Sequence, residues 1–449
     1  MKENILSFLF YFVISLQLSL NTLNAQEVMP NKDSRIYSLS LIWSEMKYNF
    51  AFPETLHKVN IDSLYLAYIP KIENVNSNYE YFRVLNSFMA HFNEAHTRIY
   101  TAVRPDDMSP IKASNIGKNI FIINISKKYV NEIPIGSEIL KINGIPIINY
   151  LEDSIYQYIS AATPHWKFDK SVSEMFYGEP NSAINITIKT PNGKEKEVEM
   201  IRNYLSQGAM EEMVVDDETP PIKIEMIDKN IGYIKLSTCL RKYVDTINTV
   251  FNNNLPELKK SKAIIIDIRG NRGGTDVAWE NIAYHIIPDS QIINRGKWES
   301  RIHIATYKNW GEYEPQLKGH YDGTSMMQIK HGAKINKVND SMKLKQPIII
   351  ISGKEVGSAA EDFLMLMKEY ERATIIGEPT VGSMGEPSFF SINKDFDVML
   401  CSKRYIDAQN NQPNDKGILP DIYVESSYEL YLKGRDNILE KAIDMANSL

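Results

Sequence analysis

Residues 347–362 read PIIIISGKEVGSAAED. An unbroken apolar run between Pro347 and Gly353, without polar alternation, is the pattern of a strand buried on both faces of a sheet. Beyond the glycine turn, Phe363, Leu364, Met367 and Tyr370 recur at helical spacing, so a helix is predicted to open at Ser358. The stretch AIIIDI at 263–268 repeats the same strand signature and is also followed by glycines. A last helix is expected in RDNILEKAIDMANSL, with Ile438, Leu439, Ala442 and Ile443 on one face. Alternating strands and helices from 222 to 449 predict an α/β unit. Between its two central strands, the segment 288–345 is rich in Trp, Tyr and His and is expected to form loops or hairpins over a cleft.

Upstream the pattern changes. Residues 109–205 hold short β-rich runs (NIFIINI, EILKI, IPIINY, AINITIKT) separated by turns such as Asn143-Gly144 and Asn192-Gly193. With a helical run near 150–162, they predict a small β-barrel or sandwich capped by a helix. Residues 28–108 show helical periodicity, punctuated by Pro53 and Pro70, and predict a small helical N-terminal domain. The acidic segment 206–221, closed by two prolines, reads as a linker. The first 25 residues have a lone Lys2, an apolar stretch from Ile5 to Leu20 and a small residue at Ala25. That is the plan of a secretory signal peptide, so export to a periplasmic or extracellular space is expected, with no membrane span after signal removal.

Composition narrows the function classes. The 449-residue chain is 43% hydrophobic and 24% charged, ordinary values for a folded multidomain protein. A net charge of −6 without a basic cluster argues against a nucleic acid partner. Two cysteines, Cys239 and Cys401, are too few for a disulfide framework or a Cys-rich zinc site, and are expected as buried thiols in separate strands. The spacing of the eight histidines fits no metal motif, so neither metal nor cofactor is expected.

Three features carry possible chemistry. Ser358 stands where a strand passes into a helix, with the Ala359 N–H beside it as a natural oxyanion donor. Yet Ser358-x-x-Glu361 is also a capping box, which would only satisfy free helix N–H groups. Asp267–Gly274 (DIRGNRGG) offers backbone N–H groups near a ligand, or is simply a tight turn. His96, in HFNEAHTRIY, has a side chain able to take a proton near neutral pH, or is structural. G-x-S-x-G is absent, which argues against an α/β-hydrolase elbow.

Taken in order, IWSEMKYNF, HFNEAHTRIY, IGYIKLSTCL, IIIDIRGNRGG, IIISGKEVGSAAEDF, ATIIGEPTVGS, KGILPDIYV and RDNILEKAI resemble the S41 serine peptidases, which include the C-terminal processing and tricorn-core enzymes. The resemblance implies a ClpP/crotonase-like α/β core. It also implies a PDZ-like domain around IPIGSEILKINGIPI, a module that binds peptides by adding a strand to its sheet. Processing peptidases carry a lysine where this chain has Ser383, whereas tricorn-like members use a histidine at the position of His96. The resemblance therefore implies Ser358 as nucleophile and His96 as base, with Ala359 and Gly273 or Gly274 as oxyanion donors. Lys354 is an alternative base only if it folds back. The tricorn-like orienting glutamate is replaced by Asn414, beside Asp415, and the serine before the histidine by Ala95. Glu94 is a further stand-in for the orienting group. The expected activity is peptide-bond hydrolysis in peptides or unfolded proteins through an acyl-enzyme. The alternatives are a catalytically impaired peptide-binding protein and a hydrolase of other acyl substrates. Oligomeric state is not written in the sequence.

Overall fold

The computed structural model describes residues 29–101, 110–179, 181–202, 213–214, 219–228, 230–287, 297–301, 308, 310–329, 338–392, 396–407, 412 and 416–449. The predicted signal peptide and most of the predicted linker lie outside these residues.

The isoleucine runs form the centre of the molecule. Strands Ala263–Asp267 and Ile348–Ser352 pair in parallel inside a six-stranded sheet. In spatial order its strands are Ile422–Tyr423, Thr374–Gly377, Ile348–Ser352, Ala263–Asp267, Ile231–Leu236 and Ile222–Ile227, and only the last pair is antiparallel. Every residue of the two central strands is buried. Ile264, Ile266, Ile348 and Ile350 pack with Phe251, Trp279 and Phe363 from helices Val244–Leu258, Val277–Ile286 and Ala359–Glu369. Ile265, Ile349 and Ile351 face Ile438, Ala442 and Ala446 of the helix Asn437–Ser448. Helices thus cover both faces, as continuous apolar strands require, and each buried isoleucine contributes about 1.5–3 kcal/mol.

The N-terminal unit begins with helices Lys32–Asn49, Pro53–Val59, Ile61–Glu73 and Asn78–Ala90. Asn31 and Ser77 cap the first and last through their side chains. Pro53 opens a helix, but Pro70 lies inside one, near its last turn. The expected all-helical character stops at Ala90. Arg98–Thr101 is a strand, paired antiparallel with the first part of Phe396–Ile406. Ile99, Val398 and Leu400 share a core with Leu39, Ile42 and Phe88, so the helical unit is sewn to the far end of the chain.

The strand Phe396–Ile406 also pairs with Lys297–Arg301, which pairs with Met326–Ile329, and on its other edge with Gly385–Ser391. The described part of the predicted loop-or-hairpin segment 288–345 therefore contributes two antiparallel strands. The middle unit is a six-stranded sheet built from 111–116, 119–125, 138–142, 145–146, 183–189 and 195–201. Its helical run starts at Ile147, passes through a π-helical turn Leu151–Ile155 and ends at Tyr158; a second helix, Pro164–Glu174, was not separated by the periodicity. Among the described residues, no helix is long and apolar enough to cross a membrane.

Candidate active site

The turn after Ile348–Ser352 carries Ser358 at the mouth of the helix Ala359–Glu369. Ser358 has φ 54° and ψ −128°, a conformation sparsely populated by residues with a Cβ, which costs on the order of 1–3 kcal/mol. A strained turn is present although the G-x-S-x-G motif is absent. A capping box joins Ser358 and Glu361 as well, and Ser358 is half-buried there. Its Glu361 half is explicit: the Ser358 N–H donates to Glu361 Oε2 at 3.0 Å and to Ser383 Oγ at 2.9 Å.

Glu361 is fully buried and gathers the surrounding loop. Its Oε1 accepts from Thr380 Oγ1 (2.5 Å) and Gly382 N (2.8 Å). Its Oε2 accepts from Ser383 N (2.8 Å) and Ser383 Oγ (2.9 Å) as well as from Ser358. Burial pushes this carboxyl up, against four bonds that pull it down. Ser383 thus lies against the Ser358 amide, where it ties the turn to Glu361. Sequence reasoning saw Glu361 only as a cap, because its other donors lie 19–22 positions downstream.

The glycine loop lies on the other side. Asn271 accepts from Gly273 N through Oδ1 (3.0 Å) and from Gly357 N through its carbonyl (3.2 Å). A Cβ on Gly273, where φ is 89°, would stand 2.7 Å from both Gly357 O and Ser358 Cβ. Only glycine allows so close an approach. The flanking groups of Gly274 pair with Cys239: Gly273 O accepts from Cys239 N (3.2 Å), and Thr275 N donates to Cys239 O (2.8 Å).

His96 is buried just before the strand Arg98–Thr101. The loop before it is held by Ser160, whose Oγ accepts from Glu94 N (3.1 Å) and donates to Glu94 O (2.8 Å). Glu94 Oε2 accepts from Thr97 Oγ1 (2.6 Å), and Oε1 lies 4.0 Å from His96 Nδ1. Both of these last atoms are buried without a hydrogen-bond partner among the described residues. Burial, helped by the Arg98 charge, pushes His96 down to about 3, and burial raises Glu94 to about 7. The ring is therefore neutral at physiological pH. Gly385, two residues beyond Ser383, approaches it: a Cβ there would lie 3.9 Å from His96 Nδ1. Among the described residues no hydrogen bond joins Ser358 Oγ to the ring. Cys401 Sγ, in the adjoining strand, joins Glu94 and His96 in a group whose ligand atoms lie within 4.8 Å of one another. Both cysteines are buried thiols as expected, Cys401 within a strand and Cys239 just beyond one, at an isolated bridge to Gly274.

Lys354 is engaged with the middle unit. Its Nζ donates to Asn115 O at 2.5 Å and pairs with Asp169 Oδ1 at 3.1 Å, both in the middle unit. The same unit reaches the loop beside Glu361, where Thr163 Oγ1 donates to Val381 O (3.1 Å) and His165 Nε2 meets Thr380 O (2.7 Å). Asn414 and Asp415 lie outside the described residues. Glu94 lines a cleft of about 1270 Å³, together with Phe92, Lys368, Glu369 and Ile418.

Comparison with known proteins agrees with this architecture. The family described as Peptidase family S41 matches residues 230–424, and the Tricorn protease C1 domain matches 33–90. The carboxy-terminal processing protease CtpA of Bacillus subtilis is 23% identical over 54% of this chain and 46% of its own length, so this chain spans about half of that relative. A carboxyl-terminal-processing protease of Synechocystis is 20% identical over 77% of this chain and 71% of its own. The structure of mature CPAF complexed with lactacystin superposes with a TM-score of 0.68 at 13% identity, covering 93% of this chain and 99% of that one, a likeness of fold.

Proposed function

The chain belongs to peptidase family S41, and from that premise we propose that it is an exported serine peptidase that cuts peptides or unfolded proteins through an acyl-enzyme on Ser358. The observation that carries the reading is the strained Ser358 backbone, held between the glycine loop and the Glu361 cluster at a helix N-terminus. Strain of this kind is retained where the surroundings over-determine it, as at catalytic turns.

In the proposed mechanism His96 takes the Ser358 Oγ proton as that oxygen attacks the scissile carbonyl. The proton then passes to the leaving amine, and water repeats the cycle to release the acid. A neutral ring is the form this role requires. Glu94, rather than Asn414 or Asp415, is the orienting acid we favour, because its unpartnered Oε1 faces the unpartnered Nδ1. A closure of about 1 Å would make that hydrogen bond. Gly273 N is already engaged by Asn271, which favours Ala359 and Gly274 as the oxyanion pair, each donor contributing about 3–4 kcal/mol to the transition state. Lys354, committed to Asp169, is not the base in this scheme. The middle unit is read as a PDZ-like module that presents peptide to the cleft.

Fluorophosphonate labelling and casein cleavage by the purified chain test the proposal. Labelling of the wild type that is lost in Ser358→Ala, with cleavage lost in a folded His96→Ala variant, is the expected outcome. The open contact between Ser358 and His96 favours a second reading, a peptide-binding protein without turnover, which absence of label and cleavage from pH ~6 to ~10 would establish against the first.

A further inference from the structure

Glu94 Oε1 and His96 Nδ1 face each other at 4.0 Å, each buried and each without a partner among the described residues. The gap is about 1 Å too long for an N–H···O hydrogen bond. Leaving two such atoms unsatisfied costs about 1–3 kcal/mol each. Cys401 Sγ closes the third corner, all three ligand atoms lying within 4.8 Å of one another. We propose that this triangle binds a divalent cation of the zinc class, and that its occupation switches off His96 as a base.

The donor set selects the ion. One sulfur, one imidazole nitrogen and one carboxylate oxygen suit zinc, while calcium and magnesium take oxygen ligands in larger number. Charge also balances: a thiolate, a carboxylate and a neutral imidazole offset a dication, so the filled site adds no net charge to the interior. Tetrahedral coordination, at about 2.0–2.1 Å to nitrogen or oxygen and about 2.3 Å to sulfur, requires the triangle to contract by roughly 1 Å, with water in the fourth position. Room for that movement exists. Thr97 holds only the other oxygen of Glu94, and the thiol is committed only to Lys403 O at 3.1 Å. Gly385 forms one wall, and a Cβ there would stand 2.6 Å from Cys401 Sγ. Of the three, Glu94 also lines the cleft of about 1270 Å³.

Inhibition follows from proton counting and rests on the reading of His96 as base. Binding forms three metal–ligand bonds, the thiol proton and any proton carried by Glu94 leave to solvent, and no electron is transferred. A neutral imidazole has a single N–H. Metal at Nδ1 confines that proton to Nε2, and the ring then has no lone pair to accept the Ser358 proton. The sequence shows none of this, because Glu94 and Cys401 come from opposite ends of the chain and match no ligand-spacing motif.

The test is titration of the chelator-treated full chain with Co²⁺, followed by Zn²⁺ competition. The expected result is one ion per chain, with a thiolate-to-cobalt charge-transfer band and the visible bands of a tetrahedral ion. Cys401→Ser should abolish the charge-transfer band, and Glu94→Gln should weaken binding by more than about 10-fold, the cost that even an outer-shell partner carries. Cys239→Ser should keep the band, which covers the case of a Cys401 variant that does not fold. A wild type without the band, or a folded Cys401→Ser protein that binds as the wild type does, overturns the site. Fluorophosphonate labelling then separates this inference from the peptidase reading. Zinc should block labelling of the wild type; unimpeded labelling of the zinc-loaded protein overturns the switch. A cobalt band on a chain that never labels would support the metal site while sinking the peptidase.

Discussion

Replacing Glu361 by glutamine leaves shape almost unchanged and exposes how much the Ser358 turn depends on one carboxylate. Five donor groups converge on it: Ser358 N, Gly382 N, Ser383 N, Ser383 Oγ and Thr380 Oγ1. An amide has one acceptor oxygen. Its best orientation keeps that oxygen at the Oε2 position, serving Ser358 and Ser383, and turns the NH₂ toward Gly382. The Gly382 N–H then meets another donor in a buried site, an unsatisfied group worth about 1–3 kcal/mol. The bonds that survive change from charge-assisted to neutral, which removes roughly 1 kcal/mol each before relaxation. Allowing for repacking, Glu361→Gln should lower stability by about 3–5 kcal/mol. Urea unfolding of the wild type and the variant measures this, and the fluorophosphonate reaction rate of the folded variant should fall as the Ser358 backbone relaxes. A loss below about 1 kcal/mol with an unchanged rate would refute the argument that this carboxylate holds the strained turn.

Further outcomes follow from the same geometry. Gly273→Ala places a methyl 2.7 Å from Ser358 Cβ at a φ of 89°; overpacking and backbone strain together predict a loss of about 2–5 kcal/mol and no labelling, checked by thermal melting and labelling. Lys354→Met strips Asp169 of its ion pair and should cost about 1–3 kcal/mol in unfolding while Ser358 labelling persists; loss of labelling in folded protein would return the base role to the lysine. Burial pushes Asp267 up, but Arg269, Lys235 and Tyr233 outweigh it and hold the carboxyl at about 2, below its ordinary 3.8. A depressed carboxyl stabilises the fold fully above its unfolded value, so about 2 kcal/mol should be lost as pH falls from about 4 through 2. Acid denaturation curves of the wild type and Asp267→Asn should converge at the low end of that range.

The two central strands were legible because three and four consecutive isoleucines leave a sheet no solvent face, and the helix after Ser358 because its apolar positions repeat at helical spacing. Arg98–Thr101 was not, since four residues after a helical stretch carry too little period to announce a strand, and its partner is almost 300 positions away. Pro70 misled as punctuation because, near the end of Ile61–Glu73, the ring removes little that the helix needs. The break at Leu151–Ile155 escaped for a related reason: a π-turn keeps helical composition while shifting the phase of its faces. At the candidate site, the Ser358 turn and the glycine loop were singled out from local chemistry, and His96 was proposed through the family pattern. The cluster around Glu361 was hidden because hydrogen bonds to backbone N–H groups leave no residue signature. The pairing of Glu94 with Cys401 was hidden because it exists only after the chain ends meet.

That meeting has a temporal side. The loop bearing His96 is anchored by a strand whose partner, Phe396–Ile406, is made only after Ser358 itself. A growing chain therefore owns its hydroxyl before it owns a seated imidazole. The candidate pair is therefore assembled only once the last strands of the chain are in place.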